Sequence, residues 1–128
     1  MPANYKKSNA VYICVKSSKE ALSIIASNFF DNPSSRIDLI GVTGTNGKTT
    51  ISSLLNILFN ELKFESGLIS TISIKYGNYL ENSKNTTPDP ITIKFHLSEM
   101  IKKQIKVCFI EVSSHGIYQK RVEGISFK

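Results

Sequence analysis

The segment Gly44-Thr45-Asn46-Gly47-Lys48-Thr49 has the residue types and spacing of a phosphate-binding loop. Glycines let backbone N–H groups approach phosphate oxygens, and the first turn of a following helix adds partial positive charge. Lys48 is placed to neutralise β- and γ-phosphates, and the Thr49 hydroxyl to bind a magnesium ion that bridges them. The usual pattern has a further glycine five residues before Gly47, where this chain has Val42. The shortened pattern still predicts a nucleotide site, for ATP with magnesium.

A second candidate is Glu111, which lies near the end of the otherwise apolar run of residues 107–112. A carboxylate at the end of a strand beside the loop could bind magnesium directly or through water. An exposed charge at a strand end is an equally good interpretation, and position alone does not decide between them.

Polar residues continue after this run. Ser113, Ser114 and His115 could suggest a serine nucleophile with a histidine base, but neighbours on one loop rarely reach the required geometry, so no hydrolase is predicted. Gln119 and Arg121 could bind an acidic substrate, because arginine offers a two-pronged fork to phosphate or carboxylate. From the residues alone, a solvated basic surface is the favoured alternative.

Strands and helices alternate along the chain. Strands are predicted at residues 11–15, 37–42, 67–72 and 106–112, with a hairpin of residues 74–76 and 79–81 joined by Gly77-Asn78. This alternation predicts an α/β fold built on a parallel sheet. Ligands of such sheets bind beyond the carboxyl ends of the strands, where the loop after Val42 and the residues after Glu111 would meet.

Three amphipathic helices are predicted between these strands, the first capped by Ser17 and the third opening at Asp89-Pro90. Their predicted buried faces are Ala21, Leu22, Ile25 and Phe29 in the first helix, Ile51, Leu54, Leu55, Leu58 and Leu62 in the second, and Ile93, Leu97, Met100 and Ile101 in the third. The polar stretch around Pro33 between the first helix and the second strand marks a candidate domain boundary.

Composition restricts the class of protein. A chain of 128 residues with 41% hydrophobic content can form one packed core. The net charge of +6 comes from scattered lysines, so no nucleic-acid partner is predicted, and since no run approaches the roughly eighteen apolar residues of a membrane span, no membrane partner is predicted either. Cys14 and Cys108 lie in apolar runs, as expected for buried, reduced thiols. With no signal-peptide pattern, a cytoplasmic location is predicted.

Three motifs together resemble a known family. Residues 43–50 resemble the nucleotide loop of the Mur ligases, the ATP-dependent amide-forming enzymes of peptidoglycan synthesis. Asn85-Thr86-Thr87-Pro88-Asp89 and Glu111-Val112-Ser113-Ser114-His115-Gly116, followed by Gln119-x-Arg121-Val122, are similar to the MurE type, which adds the third residue of the stem peptide. The resemblance is close after Ile37 and loose before it.

This resemblance implies roles for individual residues. The ATP-binding residues would be Gly44, Thr45, Asn46, Gly47, Lys48, Thr49 and Thr50, with Lys48 also catalytic. Thr49 and Glu111 would bind magnesium. The residues that bind the substrate UDP-MurNAc-L-Ala-D-Glu would be Asn85, Thr86, Thr87, Ser113, Gln119 and Arg121. The family reaction activates the D-glutamate side chain as an acyl phosphate, which the amine of meso-diaminopimelate or L-lysine then attacks.

The resemblance also predicts domain organisation. Residues 1–36 resemble the last strand and helix of the family's N-terminal domain, and residues 37–128 the first part of its central ATP-binding domain, left incomplete. Because family members are longer, this chain alone is expected to be inactive. The full-length form is expected to be monomeric. The alternatives are a free-standing ATP-binding module, another Mur-type ligase, or a small P-loop kinase or GTPase, for which the chain shows no base-specifying motif or arginine-rich lid.

Overall fold

The computed structural model describes residues 11–128, which form a five-stranded sheet with helices on both faces. Among these residues no helix is long and apolar enough to cross a membrane. The elements follow in the order α1 (Ser18–Phe29), a 3-10 turn (Pro33–Ser35), β1 (Asp38–Val42), α2 (Lys48–Glu61), β2 (Ser66–Ile69), β3 (Ser73–Tyr76), β4 (Tyr79–Asn82), α3 (Pro90–Lys102), β5 (Val107–Glu111) and α4 (Ser114–Tyr118).

The sheet has the strand order β1-β5-β2-β3-β4. β1, β5 and β2 are parallel, with Val42 beside Glu111 and Ile69 beside Ile110, whereas β3 and β4 pair antiparallel. The predicted α/β class is confirmed, and the sheet is mixed because the β3–β4 hairpin extends its parallel half. The carboxyl ends of β1, β5 and β2 meet at one edge, so the segments that follow them converge there.

Several element boundaries form where local turn and capping residues predict them. The β3–β4 turn forms at Gly77, whose φ of 51° suits glycine. The Asp89 carboxylate accepts hydrogen bonds from the N–H groups of Ile91 (3.0 Å) and Thr92 (3.1 Å), with Pro90 at the first helical position. Ser17 likewise caps α1 through the N–H of Glu20 at 3.3 Å. These predictions are confirmed.

The predicted strand at residues 11–15 is wrong. These residues form no strand, Val11 and Ile13 are largely exposed, and Cys14 is also exposed. A strand needs a neighbour to satisfy its backbone hydrogen bonds, and within residues 11–128 none pairs with this segment. An apolar run alone was therefore not sufficient to form a strand. Of the strand and the helix predicted before residue 37, the structure contains the helix, α1.

The hydrophobic core lies between the sheet and α3. Alternate residues of the parallel strands face α3, which contributes Ile93, Leu97 and Met100, all fully buried. Cys108 is buried in this core, as predicted. Gly67 of β2 allows α3 to approach closely, because a Cβ there would lie 2.5 Å from the Met100 sulfur.

The helix on the other face packs in a way the apolar pattern did not predict. The fully buried residues of α2 are Ser52 and Asn56, and Phe59 of the same helix packs edge-to-face on Phe109 of β5. The Asn56 amide donates to the backbone carbonyl and hydroxyl of Ser66 at the start of β2, at 3.1 and 2.9 Å. The predicted buried stripe is wrong for four of its five residues, which are at least half exposed: Ile51, Leu54, Leu58 and Leu62.

The same reversal occurs in α1. The residues that pack against α3 are small, namely Ser23, Ala26 and Ser27, whereas the predicted apolar face is exposed at Leu22, Ile25 and Phe29. In both α1 and α2, periodicity identified the apolar stripe but not the buried face. The buried face carries small or amide side chains, which allow close contact with the neighbouring element.

The turn after α4 is held by two contacts from other elements. The Ser23 hydroxyl of α1 donates to the carbonyl of Lys120 at 2.8 Å. Lys94 of α3 is fully buried, and its ammonium donates to the carbonyl of Glu123 at 3.1 Å. Burial lowers the pKa of Lys94 to about 8. Arg121 therefore lies on a segment that is fixed on both sides.

A buried histidine joins the hairpin to α3. His96 is 3% exposed, and its Nδ1 lies 3.2 Å from the Tyr76 hydroxyl. Burial raises the pKa of Tyr76 to about 12, so its hydroxyl keeps its proton and can donate to Nδ1. The other ring nitrogen, Nε2, lies 3.9 Å from the Glu81 carboxylate. Burial lowers the pKa of His96, against the opposing effects of Glu81 and Glu99.

The lowered pKa of His96 predicts that the free energy of unfolding falls as pH decreases from about 7.5 to 5.5. The unfolded chain takes up a proton near its ordinary pKa of about 6.5, and the folded state does so only at lower pH. Stability is thus complete above 6.5 and declines below it, by at most about 1.4 kcal/mol per pH unit. Urea unfolding across this range measures the slope. His96→Gln should reduce the slope of unfolding free energy against pH, whereas His115→Gln, at an exposed position, should leave that slope unchanged. Equal slopes in the two variants would contradict the attribution of the pH dependence to His96.

Candidate functional site

The loop after β1 is shaped by two glycines. Gly44 and Gly47 have φ values of 146° and 79°, which side-chain-bearing residues rarely adopt, and Gly47 begins α2. Lys48 folds back over the loop, where its ammonium donates to the carbonyls of Gly44 (2.7 Å) and Thr45 (3.4 Å). The 14-residue helix α2 therefore directs its N-terminus, with its partial positive charge, to the same place as a lysine ammonium.

The carboxylate of Glu111 lies directly beside this loop and is fully buried. Its Oε2 accepts hydrogen bonds from the hydroxyls of Thr49 (2.9 Å) and Thr71 (3.0 Å), and its Oε1 accepts one from the backbone N–H of Thr71 (2.9 Å). Strand pairing places Glu111 beside Val42, the last residue before the loop. The interpretation of Glu111 as an exposed strand-end charge is excluded.

The oxygens of Glu111 and Thr49 are of the kind that magnesium binds. Magnesium prefers oxygen ligands and commonly uses one or two carboxylates together with phosphate oxygens and water. The buried carboxylate of Glu111 and the hydroxyl of Thr49 fit that requirement. Within residues 11–128 no cluster of three or more His, Cys, Asp or Glu side chains could enclose a metal. The donor set therefore fits an ion shared with a phosphate better than an ion enclosed by protein.

An open cavity of about 370 Å³ lies over these groups. Most of the predicted loop residues line it, together with Glu111 and two threonines from neighbouring segments: Thr45, Asn46, Gly47, Lys48, Thr49, Thr50, Thr71, Thr86 and Glu111. Its lining is polar and includes the N-terminal turn of α2. The cavity thus joins cationic, hydroxyl and carboxylate groups, the set that a magnesium–polyphosphate ligand requires.

Thr87 links the loop before α3 to the loop after β5 by hydrogen bonds. Its buried hydroxyl donates to the carbonyl of Glu111 (2.8 Å), accepts from the N–H of Ser113 (2.9 Å) and lies 3.1 Å from the Ser113 hydroxyl. A hydroxyl has one proton and two lone pairs, so all of its hydrogen-bonding capacity is used. It positions the two loops, and a contact between Thr87 and a substrate would need another of its atoms.

Arg121 and Gln119 form a unit next to Thr87. The Arg121 guanidinium donates to the Thr87 carbonyl (2.6 Å) and, through Nε and Nη2, to the Gln119 side-chain oxygen (2.9 and 2.6 Å). Because arginine has five N–H donors, two remain for a ligand. Both side chains are half-buried.

The remaining predicted residues are distributed unevenly. Thr86 lines the nucleotide-loop cavity, and Ser113, which caps α4 through the N–H of Gly116 (3.0 Å), lies behind it. Asn85 is exposed and lines a different cavity, beside Glu81 and Asp89. Ser114 and His115 are exposed on the short helix α4, with no side-chain hydrogen bond between them.

Sequence reasoning missed Thr71. It follows β2 at the same sheet edge as the nucleotide loop and contacts Glu111 through both its backbone and its hydroxyl. Its only available signal was position, because a residue just beyond a parallel strand lies where ligands bind.

Comparison with known proteins identifies relatives. The family model of the Mur ligase middle domain matches residues 42–128. The chain is 44% identical over 127 residues to the UDP-N-acetylmuramoyl-L-alanyl-D-glutamate--2,6-diaminopimelate ligase of Cytophaga hutchinsonii, covering 99% of this chain and 26% of that protein. It is 47% identical over 120 residues to the ligase of the same name in Bacteroides thetaiotaomicron, covering 91% of this chain and 24% of that protein.

A solved structure of a protein of that name has the same fold. It superposes with a TM-score of 0.75 and 23% sequence identity, covering 95% of this chain and 25% of the solved one. The chain thus spans about a quarter of the length of the relatives it matches.

The contact between Thr87 and Gly116 predicts a sharp steric requirement. In Gly116→Ala, the new Cβ would lie 2.8 Å from the Thr87 Cβ and 2.9 Å from its Cγ2, so the loops must separate, at a cost of about 1–3 kcal/mol in unfolding free energy. Gly41→Ala is the matched control, since its Cβ would meet the Phe127 ring at 3.0 Å, an exposed side chain that can move, and Cγ2 of Val112 at 3.4 Å, an ordinary contact distance. Urea denaturation measures both; a Gly116→Ala loss no larger than that of Gly41→Ala would contradict the fastening role.

Proposed function

Because the chain belongs to the Mur ligase family, we propose that it provides the nucleotide-binding part of an ATP-dependent amide ligase of peptidoglycan precursor synthesis. The single observation that supports this most strongly is the joining of the Lys48–Thr49 loop to the buried Glu111 carboxylate across one polar cavity. The acceptor substrate we propose is UDP-MurNAc-L-Ala-D-Glu, and the amine substrate is 2,6-diaminopimelate, as in the names of the relatives. L-Lysine, the other amine expected from the sequence, is named by neither of these relatives.

The loop would bind the triphosphate. Backbone N–H groups of residues 44–50 and the N-terminus of α2 would donate to phosphate oxygens, and the Lys48 ammonium would exchange its two carbonyl contacts for a phosphate. Phosphoryl transfer needs its developing charge stabilised more than it needs covalent assistance, which a site rich in cations and N–H donors supplies.

Thr49 and Glu111 would hold magnesium, which would neutralise charge on the β- and γ-phosphates when bound. Glu111 is suited to this because its orientation is already fixed by three hydrogen bonds, so little ordering is required when an ion is bound. The buried setting also strengthens the attraction between carboxylate and cation relative to that in water.

The acidic acceptor substrate would bind on the other side of Glu111. Arg121 and Gln119 offer N–H donors for carboxylate or phosphate oxygens, Thr86 and Ser113 would accept hydrogen bonds from the ligand through their remaining hydroxyl lone pairs, and Asn85 would contact a more distant part of the same elongated ligand. This arrangement would present a substrate carboxylate to the γ-phosphate, so that amide formation proceeds through an acyl phosphate. A cytoplasmic location and a monomeric state remain part of the proposal.

The nucleotide assignment predicts that Lys48→Ala weakens binding of Mg-ATP about tenfold or more. The lost charge-assisted contact contributes about 1.5–3 kcal/mol. Isothermal titration calorimetry measures the dissociation constant, with Lys16→Ala as a control that removes one exposed lysine elsewhere. Unchanged affinity in Lys48→Ala would refute the loop as the triphosphate site.

The substrate assignment predicts that Arg121→Ala weakens binding of UDP-MurNAc-L-Ala-D-Glu at least about tenfold while nucleotide affinity changes less than about threefold. In an active ligase the same change should raise the Michaelis constant for this substrate far more than that for ATP. Arg121→Lys should be intermediate, because it keeps the charge and loses the fork. Arg36→Ala, at an exposed ion pair, is the control. Equal losses for both ligands would count against a role specific to the acceptor.

A further inference from the structure

We propose that Thr71 is a positioning residue that couples the nucleotide loop to the loop before α3, which carries Thr86 and Thr87 and is called the substrate loop below. The coupling runs through a chain of hydroxyl groups that ends on Glu111. The inference rests on the proposed function for the identity of the two ligands. It concerns a residue to which neither the family motifs nor the phosphate-loop pattern gives a role.

The hydroxyl of Thr71 lies between two groups that belong to different segments. It is 3.0 Å from Oε2 of Glu111 and 3.1 Å from the hydroxyl of Thr86. The hydroxyl of Thr49 reaches the same Oε2 from the nucleotide loop at 2.9 Å. A continuous chain therefore runs from Thr86 through Thr71 and Glu111 to Thr49.

The direction of this chain follows from hydrogen-bond chemistry. A carboxylate only accepts, so the single proton of the Thr71 hydroxyl is donated to Glu111. The lone pair that remains on Thr71 accepts the proton of Thr86. Each donor polarises the next, which makes the contacts cooperative. A change at Thr86 is therefore felt at the oxygen that also contacts Thr49.

Thr71 is held firmly enough to transmit such a change. Its own N–H donates to Oε1 of Glu111 at 2.9 Å. The turn that carries it is closed by Ser70, whose hydroxyl donates to the Ser73 carbonyl (2.9 Å) and accepts from the Ser73 N–H (3.1 Å). The backbone of Thr71 thus stays in place if its hydroxyl is removed, and the chain can be broken by itself.

A ligand that orders one of the two loops would then order the other before its own ligand arrives. The second ligand then loses less conformational entropy when it binds, so each ligand tightens binding of the other. Thermodynamic linkage requires that each ligand lower the dissociation constant of the other by the same factor. Couplings of this kind are typically about fivefold or more.

The test is calorimetric titration of the 128-residue chain with a magnesium-bound, non-hydrolysable ATP analogue, with and without saturating UDP-MurNAc-L-Ala-D-Glu. The wild-type ratio of dissociation constants should be about five or more. Thr71→Val, which keeps shape and loses the hydroxyl, should bring the ratio close to one, because the ratio cancels any change in nucleotide affinity that is common to both titrations. Thr71→Ser should restore the ratio. Ser35→Ala removes an exposed hydroxyl in the 3-10 turn before β1, at the opposite end of that strand from the nucleotide loop, and should leave the ratio unchanged.

A ligand-free measurement separates failure of this inference from failure of the proposed function. A double-mutant cycle of Thr71→Val and Thr86→Val, read by urea unfolding, should show a coupling of about twofold or more in the unfolding equilibrium constant. If the chain binds neither ligand, the proposed function is contradicted and the cycle still decides whether the hydroxyl chain exists. A wild-type ratio of one, a ratio that persists in Thr71→Val, or a cycle without coupling would each overturn the role of Thr71.

Discussion

The buried carboxylate of Glu111 is the constraint on which the rest of the site depends. A carboxyl group taken fully out of water needs hydrogen-bond partners, and here they come from two segments: the Thr49 hydroxyl after β1, and the hydroxyl and N–H of Thr71 after β2. Those donors can reach it only if the three parallel strands end level with one another. The register that places Val42 beside Glu111 and Ile69 beside Ile110 provides this.

The backbone around Glu111 binds a third segment. Its carbonyl accepts the hydroxyl proton of Thr87, and that hydroxyl also receives the N–H of Ser113, so the loop before α3 is fastened to the loop after β5. Arg121 continues the arrangement by donating to the Thr87 carbonyl. One residue thus presents its side chain to the nucleotide loop and its main chain to the substrate loop. Two ligands bound on either side would therefore contact a shared and rigid centre.

The nucleotide loop also depends on how α2 lies on the sheet. The fully buried residues of this helix are Ser52 and Asn56, and Asn56 is anchored to Ser66 by two hydrogen bonds, while the N-terminus of the helix lines the cavity. A stripe of leucines on that face would hold the helix further away. The result is an exposed apolar stripe on the outer face of α2.

The sequence by itself determined the α/β class, the hairpin at Gly77, the caps at Ser17 and Asp89, and the glycine-shaped loop between β1 and α2, because each depends on short-range backbone geometry or on a short motif. The motif resemblance also named the family that the comparisons identified. Only the tertiary structure decided that Glu111 is buried, that Thr71 contacts it, that Thr87 uses its whole hydroxyl, and that residues 11–15 form no strand. It also decided which faces of α1 and α2 are buried. These features depend on which segments become neighbours, and hydrogen-bond partners far apart in the chain leave no trace in local periodicity.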